Sequence, residues 1–167
     1  WGESSSVITD SDGFWELYLF TPKAGGPYVI QVKNKNNSIL LSDVLIGEVW
    51  LVSGQSNMDW KLNQCNNCIE NQDQEIKNAN YNEIRFFNHP QDLSGKIVNN
   101  QKWKIVTPKN ASKRADFHGV ESFSAAAYFF ARELHKELNV PIGIIGAYWG
   151  GTRIEAWTSR RKLTELT

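Results

Sequence analysis

Over the first third of the chain, hydrophobic and polar residues alternate with a period of two. Phe14 to Phe20 places Trp15, Leu17 and Leu19 on one face, and after the turn-forming run Thr21-Pro22-Lys23-Ala24-Gly25-Gly26-Pro27 the alternation resumes over Tyr28 to Val32. This pattern predicts two antiparallel strands. A polar, Asn-rich turn over Lys33 to Ser38 leads to a third predicted strand, Ile39 to Ile46. Three strands without a partner sheet make a poor independent domain. Residues 1–46 therefore read as the C-terminal part of a β-sandwich-like accessory domain whose first strands lie upstream of Trp1.

The pattern then changes. Glu48 to Val52 is an apolar run, rich in β-branched and aromatic residues, that reads as a buried strand emptying into the turn Ser53-Gly54-Gln55-Ser56-Asn57. Asn63 to Asn82 is polar, with Ile69, Ile76 and Tyr81 as anchors, and predicts a loop or a surface helix. Glu83 to Asn88 and Trp103 to Val106 predict short strands. Ser122 to Leu138 is the best helix: Phe123, Ala126, Ala127, Phe130, Leu134 and Leu138 recur at three and four residues, with Ser122 as N-cap, Asn139 at the left-handed end and Pro141 beyond it. Pro141 to Tyr148 is a second buried strand that follows a helix, so a β-α-β unit with a parallel sheet is favoured. It too ends in a glycine turn, Trp149-Gly150-Gly151-Thr152.

Two such turns on parallel strands face one edge, the carboxyl edge where open α/β sheets bind ligands. Ser56 is a candidate nucleophile there, since Gly54 lets the backbone bend tightly and a helix starting after the turn would favour negative charge beside the serine. Gly150 or Gly151 could supply the backbone N–H that an ester's tetrahedral intermediate needs. Each stretch also has a plainer reading. Ser53 to Asn57 fits an ordinary polar turn after a core strand, and Gly150-Gly151 fits a tight turn with Arg153 and Glu155 as a solvated pair. Nor is the serine turn a Gly-x-Ser-x-Gly elbow, so the α/β-hydrolase fold is not implied.

Composition narrows the class. With 18 basic and 18 acidic residues, and no basic cluster longer than Arg160-Arg161-Lys162, the chain has no footprint for nucleic acid or a polybasic membrane patch. The run from Val44 to Val52 is far too short to span a bilayer. No signal peptide opens the sequence, and its absence says little because the chain reads as starting inside a structural unit. Cys65 and Cys68 form one Cys-x-x-Cys with no second pair to complete a four-ligand zinc site, and their Asn-rich flanks are unlike a thioredoxin motif; a local disulfide or two free thiols remain. Sequons at Asn36 and Asn110 are compatible with secretion.

Four blocks, taken together, carry a resemblance. Gly47-Glu48-Val49-Trp50, Gly54-Gln55-Ser56-Asn57-Met58, Phe123 to Phe130 and Trp149 to Trp157 stand in the order found in the sialate O-acetylesterase family of SGNH-type carbohydrate esterases, which the chain resembles over roughly residues 13 to 160. The resemblance implies an α/β fold with a three-layer SGNH or flavodoxin-like parallel sheet, here partial, with residues 47–167 as the N-terminal part of the esterase domain. It implies Ser56 as nucleophile, the amides of Ser56 and of Gly150 or Gly151 in the oxyanion hole, and substrate contacts from Gln55, Asn57 and Arg153. The implied reaction removes acetyl groups from sugar hydroxyls through an acetyl-enzyme on Ser56, with sialic acid as the family's named substrate and no metal or organic cofactor.

The sequence departs from the family at one point. The Asp-x-x-His pair that supplies the base, and the later Gln or Asn of the oxyanion hole, have no counterpart here, and a serine hydroxyl is a poor nucleophile without a base. Of His89, His118 and His135, His135 reads as a helix-surface residue and His89 as a turn residue; only Asp116-Phe117-His118 joins an imidazole to a nearby carboxylate, with a spacing that is not the family's. The expectation is the nucleophile-bearing portion of a larger esterase, completed by a downstream segment or a second chain. Two rivals stay open: a deacetylase of xylan or another polysaccharide, and a non-catalytic carbohydrate-binding remnant. The disulfide option, the sequons and a glycan substrate point to a periplasmic, secreted or lysosomal setting.

Overall fold

A computed structural model describes residues 1–92, 101–114 and 120–165, in two compact units, Trp1–Gly47 and Glu48–Thr167. In the first unit, β1 (Gly25–Lys33) and β2 (Ser38–Ile46) form an antiparallel ribbon, with Val32 opposite Ile39 and Lys33 opposite Ser38. The turn between them is built by Asn34, whose side-chain oxygen accepts the N–H groups of Asn36 and Asn37. The strand expected over Phe14 to Phe20 does not form, which corrects the three-strand reading to two. Alternation marks a segment able to lie on a sheet, but a strand exists only where a neighbour takes its ladder hydrogen bonds. Among the described residues this stretch has no such neighbour: it leaves a turn in which Asp10 Oδ1 accepts from the amides of Asp12 and Phe14, and Trp1 Nε1 donates to Phe20 O at 2.9 Å.

The second unit is the α/β body. It runs β3 (Glu48–Gly54), α1 (Ser56–Asp59), α2 (Gln72–Asn78), β4 (Tyr81–Asn88), β5 (Lys104–Val106), α3 (Pro108–Ala111), α4 (Ala125–Leu138), β6 (Ile142–Tyr148), a 3₁₀ turn (Ile154–Trp157) and α5 (Arg160–Glu165). The sheet order is β3-β6-β4-β5, with β3 and β4 parallel to the central β6 and β5 antiparallel at the far side. The helix-then-strand pattern of α4 and β6 thus gives the parallel sheet it predicts.

The core lies on one face of this sheet. Ile84, Phe86 and Asn88 of β4 alternate inward and stand opposite Ile142, Ile144 and Gly146 of β6. Phe86 stacks on Phe123 with ring centroids 4.5 Å apart, and Ala127, Tyr128 and Ala131 of α4 close over them. Each fully buried Ile or Phe contributes about 1.5–3 kcal/mol of transfer free energy. Ile69, Ile76 and Tyr81 pack half-buried against this cluster and anchor the polar segment around α2.

Three expectations change here. The helix starts at Ala125, capped by Ser124, whose Oγ accepts the amide of Ala127; Ser122 is buried before it and offers only its carbonyl, to Asn88. Phe130 and Leu138, assigned to the apolar face, are exposed. Ala126 is exposed as well, while Ala127 is buried and Leu134 half-buried as expected; the buried stripe is completed by Tyr128 and Ala131, a rotation of the face that spacing at three and four does not resolve. Finally, β3 is not buried: among the described strands only β6 pairs with it, and Val49, Trp50 and Leu51 are exposed. An apolar run does not reveal how many neighbours its strand has. At the other end of α4, Asn139 adopts the predicted left-handed conformation, φ 51°.

Candidate active site

Ser56 is the first residue of α1, two positions past the end of β3. Gly54 makes the turn at φ +144°, a conformation that side-chain-bearing residues rarely adopt. Gln55 turns its carbonyl inward to accept the amides of Met58 and Asp59, so α1 is a single helical turn with Ser56 and Asp59 one turn apart. Gln55, Ser56 and Asn57 are all exposed.

The glycine turn meets this serine turn because the parallel register carries on past the strands. Gly54 is opposite Tyr148, and the amide of Trp149 donates to Gly54 O at 3.0 Å. The next residue, Gly150, passes directly over the serine: a Cβ placed on it would lie 3.7 Å from Ser56 Cα and 3.8 Å from Ser56 Oγ. Gly151 then turns the chain at φ +78°. Thr152 Oγ1 donates to Trp149 O and accepts from Trp157 Nε1, which folds the loop back on itself. Arg153 and Glu155 are both exposed, as the solvated reading has them, and among the described residues no ion pair joins them.

Beneath these turns lies a polar cluster that sequence patterns did not single out. Asp59 Oδ2 accepts the amide of Gly150 at 2.8 Å and the side-chain amide of Gln91 at 3.2 Å, while Oδ1 faces Lys61 Nζ at 2.9 Å. The Lys61 ammonium also sits 4.2 Å from the centre of the Tyr148 ring, and its side chain is only 6% exposed. Tyr148 donates its hydroxyl to Asn88 Oδ1 at 2.8 Å; burial first, and the Asp59 carboxylate second, push its phenol far above the usual range, so it remains a neutral donor. Asn88 Nδ2 in turn donates to Val120 O and Ser122 O. The one sequence signal available was a carboxylate three residues after Ser56.

The histidines are placed elsewhere or lie outside the described residues. His89 Nδ1 is 2.8 Å from Pro90 O. His135, expected on the helix surface, is half-buried: its Nδ1 is 2.8 Å from Val140 O and its ring meets Tyr81 edge-on, fastening the end of α4. Asp116 and His118 lie outside the described residues. Among those described, no imidazole hydrogen-bonds to Ser56 Oγ, and no group of three or more His, Cys, Asp or Glu could hold a metal ion. Cys65 and Cys68 are joined in a local disulfide.

A family model described as carbohydrate esterase, sialic acid-specific acetylesterase, matches residues 46–166. Among curated proteins, the sialate O-acetylesterase of Homo sapiens is 35% identical over 170 residues, covering 95% of this chain and 31% of its own length. That of Mus musculus is 32% identical over 167 residues, covering 93% of this chain and 29% of its own. Among solved structures, the crystal structure of a novel carbohydrate acetylesterase from Xanthomonas citri matches with a TM-score of 0.83 and 37% identity, covering 98% of this chain and 35% of that one. The chain spans about a third of the length of the relatives it matches.

Proposed function

Since the chain belongs to the sialic acid-specific acetylesterase family of carbohydrate esterases, we propose that it carries the nucleophile half of a serine-dependent O-acetylesterase acting on acetylated sugars. The observation that carries this reading is the approach of the two turns, which leaves one methyl-sized space between Gly150 and Ser56 Oγ. Ser56 Oγ attacks the acetyl carbonyl, the sugar hydroxyl leaves, and water releases acetate from the acetyl-enzyme. The oxyanion is held by backbone amides. Gly150 is engaged with Asp59, so the glycine turn contributes the amide of Gly151, beside that of Ser56. Gln55, Asn57 and Arg153, all exposed around the serine and glycine turns, contact the sugar.

The base that takes the Ser56 proton is the family's Asp-x-x-His pair, delivered by a downstream segment or a second chain. The names of the relatives support sialic acid as the sugar, and the Cys65–Cys68 disulfide supports a periplasmic, secreted or lysosomal setting.

The test is acetate release from O-acetylated sialic acid, acetylated xylan and p-nitrophenyl acetate, with and without Ser56→Ala. With the downstream segment present, Ser56→Ala should lower kcat by about 10³-fold or more, and the 167-residue chain alone should show no Ser56-dependent turnover. Preference for xylan would move the substrate to plant polysaccharide. Sugar binding unaffected by Ser56→Ala, with no acetate released in either form, would make this a binding module.

A further inference from the structure

Lys61 and Asp59 form an ion pair that a surface turn does not need, with side chains 6% and 19% exposed. Such a pair adds little net stability compared with apolar residues of the same size, because desolvating both charges offsets their attraction. What it can contribute is geometry. Asp59 rides on the same helical turn as Ser56, and its Oδ2 takes the amide of Gly150, a residue 91 positions later in the chain. A Cβ on Gly150 would be 3.3 Å from that same Oδ2 and 3.8 Å from Ser56 Oγ, so Gly150 is wedged between carboxylate and hydroxyl.

Building on the esterase reading above, we propose that Asp59, neutralised by Lys61, is a positioning residue that fastens the glycine turn against Ser56 and so sets where the Gly151 amide points. The main-chain bond from Trp149 to Gly54 fixes the root of the glycine turn; the Asp59 bond fixes its tip. Lys61 has a second effect. A bare carboxylate this close to the reacting atoms would oppose the charge that develops on the acetyl oxygen, and the ammonium at 2.9 Å cancels most of that field. Gln91 Nε2, 3.2 Å from Oδ2, holds the carboxylate from the other side.

Two readouts test this. The first is amide hydrogen exchange of Gly150 in the ¹⁵N-labelled chain, which needs no catalysis. Asp59→Ala should speed it at least tenfold, while Asp59→Asn, which keeps an acceptor oxygen, should stay within about threefold of wild type. The second is ester hydrolysis by the catalytically complete protein: Asp59→Ala should lower kcat about 10–100-fold with KM within threefold, and Asp59→Asn should restore most of it.

Unchanged Gly150 exchange in Asp59→Ala would overturn the proposal. So would equal rates for the Ala and Asn variants when both melt like wild type by circular dichroism. Should Asp59→Ala fail to fold, Asp59→Asn decides: loss of Gly150 protection in that folded variant overturns the proposal, and its retention supports it. If the complete protein shows no Ser56-dependent turnover, it is the esterase reading that fails, and the exchange data alone decide the role of Asp59.

Discussion

Asn88 is the residue whose loss should do most damage to the floor of the site. It is 5% exposed at the carboxyl end of β4 and makes three hydrogen bonds: Nδ2 to Val120 O at 3.0 Å and Ser122 O at 2.8 Å, and Oδ1 from Tyr148 OH at 2.8 Å. In Asn88→Ala the three partners fare differently. Val120 O keeps a donor, because Lys104 Nζ also reaches it at 3.0 Å. Ser122 O is left without its donor and the Tyr148 O–H without its acceptor, although the backbone of Ser124 still reaches the phenol oxygen, and each buried group so orphaned costs about 1–3 kcal/mol. The expected destabilisation is therefore about 3–4 kcal/mol. Tyr148→Phe orphans the Asn88 oxygen and removes the phenol's backbone hydrogen bond with Ser124, and should cost about 2–3 kcal/mol. The double variant should cost about 1 kcal/mol less than the sum, since the phenol orphaned by the first change is removed by the second. Asn88→Asp should be no milder than Asn88→Ala, because a carboxylate would face two carbonyl oxygens. Urea unfolding of the 167-residue chain, followed together by tryptophan fluorescence and far-UV circular dichroism, measures each value. An Asn88→Ala cost below about 1 kcal/mol at unchanged m-value would refute the reasoning, as would strictly additive costs.

Two further outcomes follow from the same geometry. Gly146→Ala would put a methyl 2.6 Å from Asn88 Oδ1 and 2.7 Å from Tyr148 Cε1, so it should force that hydrogen bond apart and lower stability by about 1–3 kcal/mol in the same titration. Glu121 bridges Lys104 and Lys113 at 2.5 Å each, and these hydrogen bonds, Lys104 first, hold its carboxyl below the usual range. A lowered folded-state pKa stabilises above the unfolded value of about 4.3, and the contribution is lost as pH falls through the folded value. The side chain is 45% exposed, so solvent screening keeps the effect under about 1 kcal/mol. Glu121→Gln should be destabilised by that amount at pH 7 and converge on wild type below about pH 4, as read from urea midpoints.

The sequence by itself determined the elements that depend on near neighbours. The two strands that lead into glycine turns, the existence of the helix and its end at Asn139, and the glycine turns themselves are written in residues at most four apart, because side-chain period and backbone freedom are local properties. The order of the four motif blocks likewise placed the chain in its family. Where local signals are degenerate the reading slipped. Alternation over Phe14 to Phe20 could not supply a ladder partner, the spacing around Ser122 suited two helix starts, and the apolar run of β3 concealed an exposed strand. Only the tertiary structure decided the polar floor. Asp59 and Gly150, or Asn88 and Tyr148, are brought within 2.8 Å by strand order and register across 60 to 91 residues. A lysine such as Lys61 also gives no sign in sequence that it will be buried, since whether a charge is exposed or paired is settled by what the rest of the fold places against it.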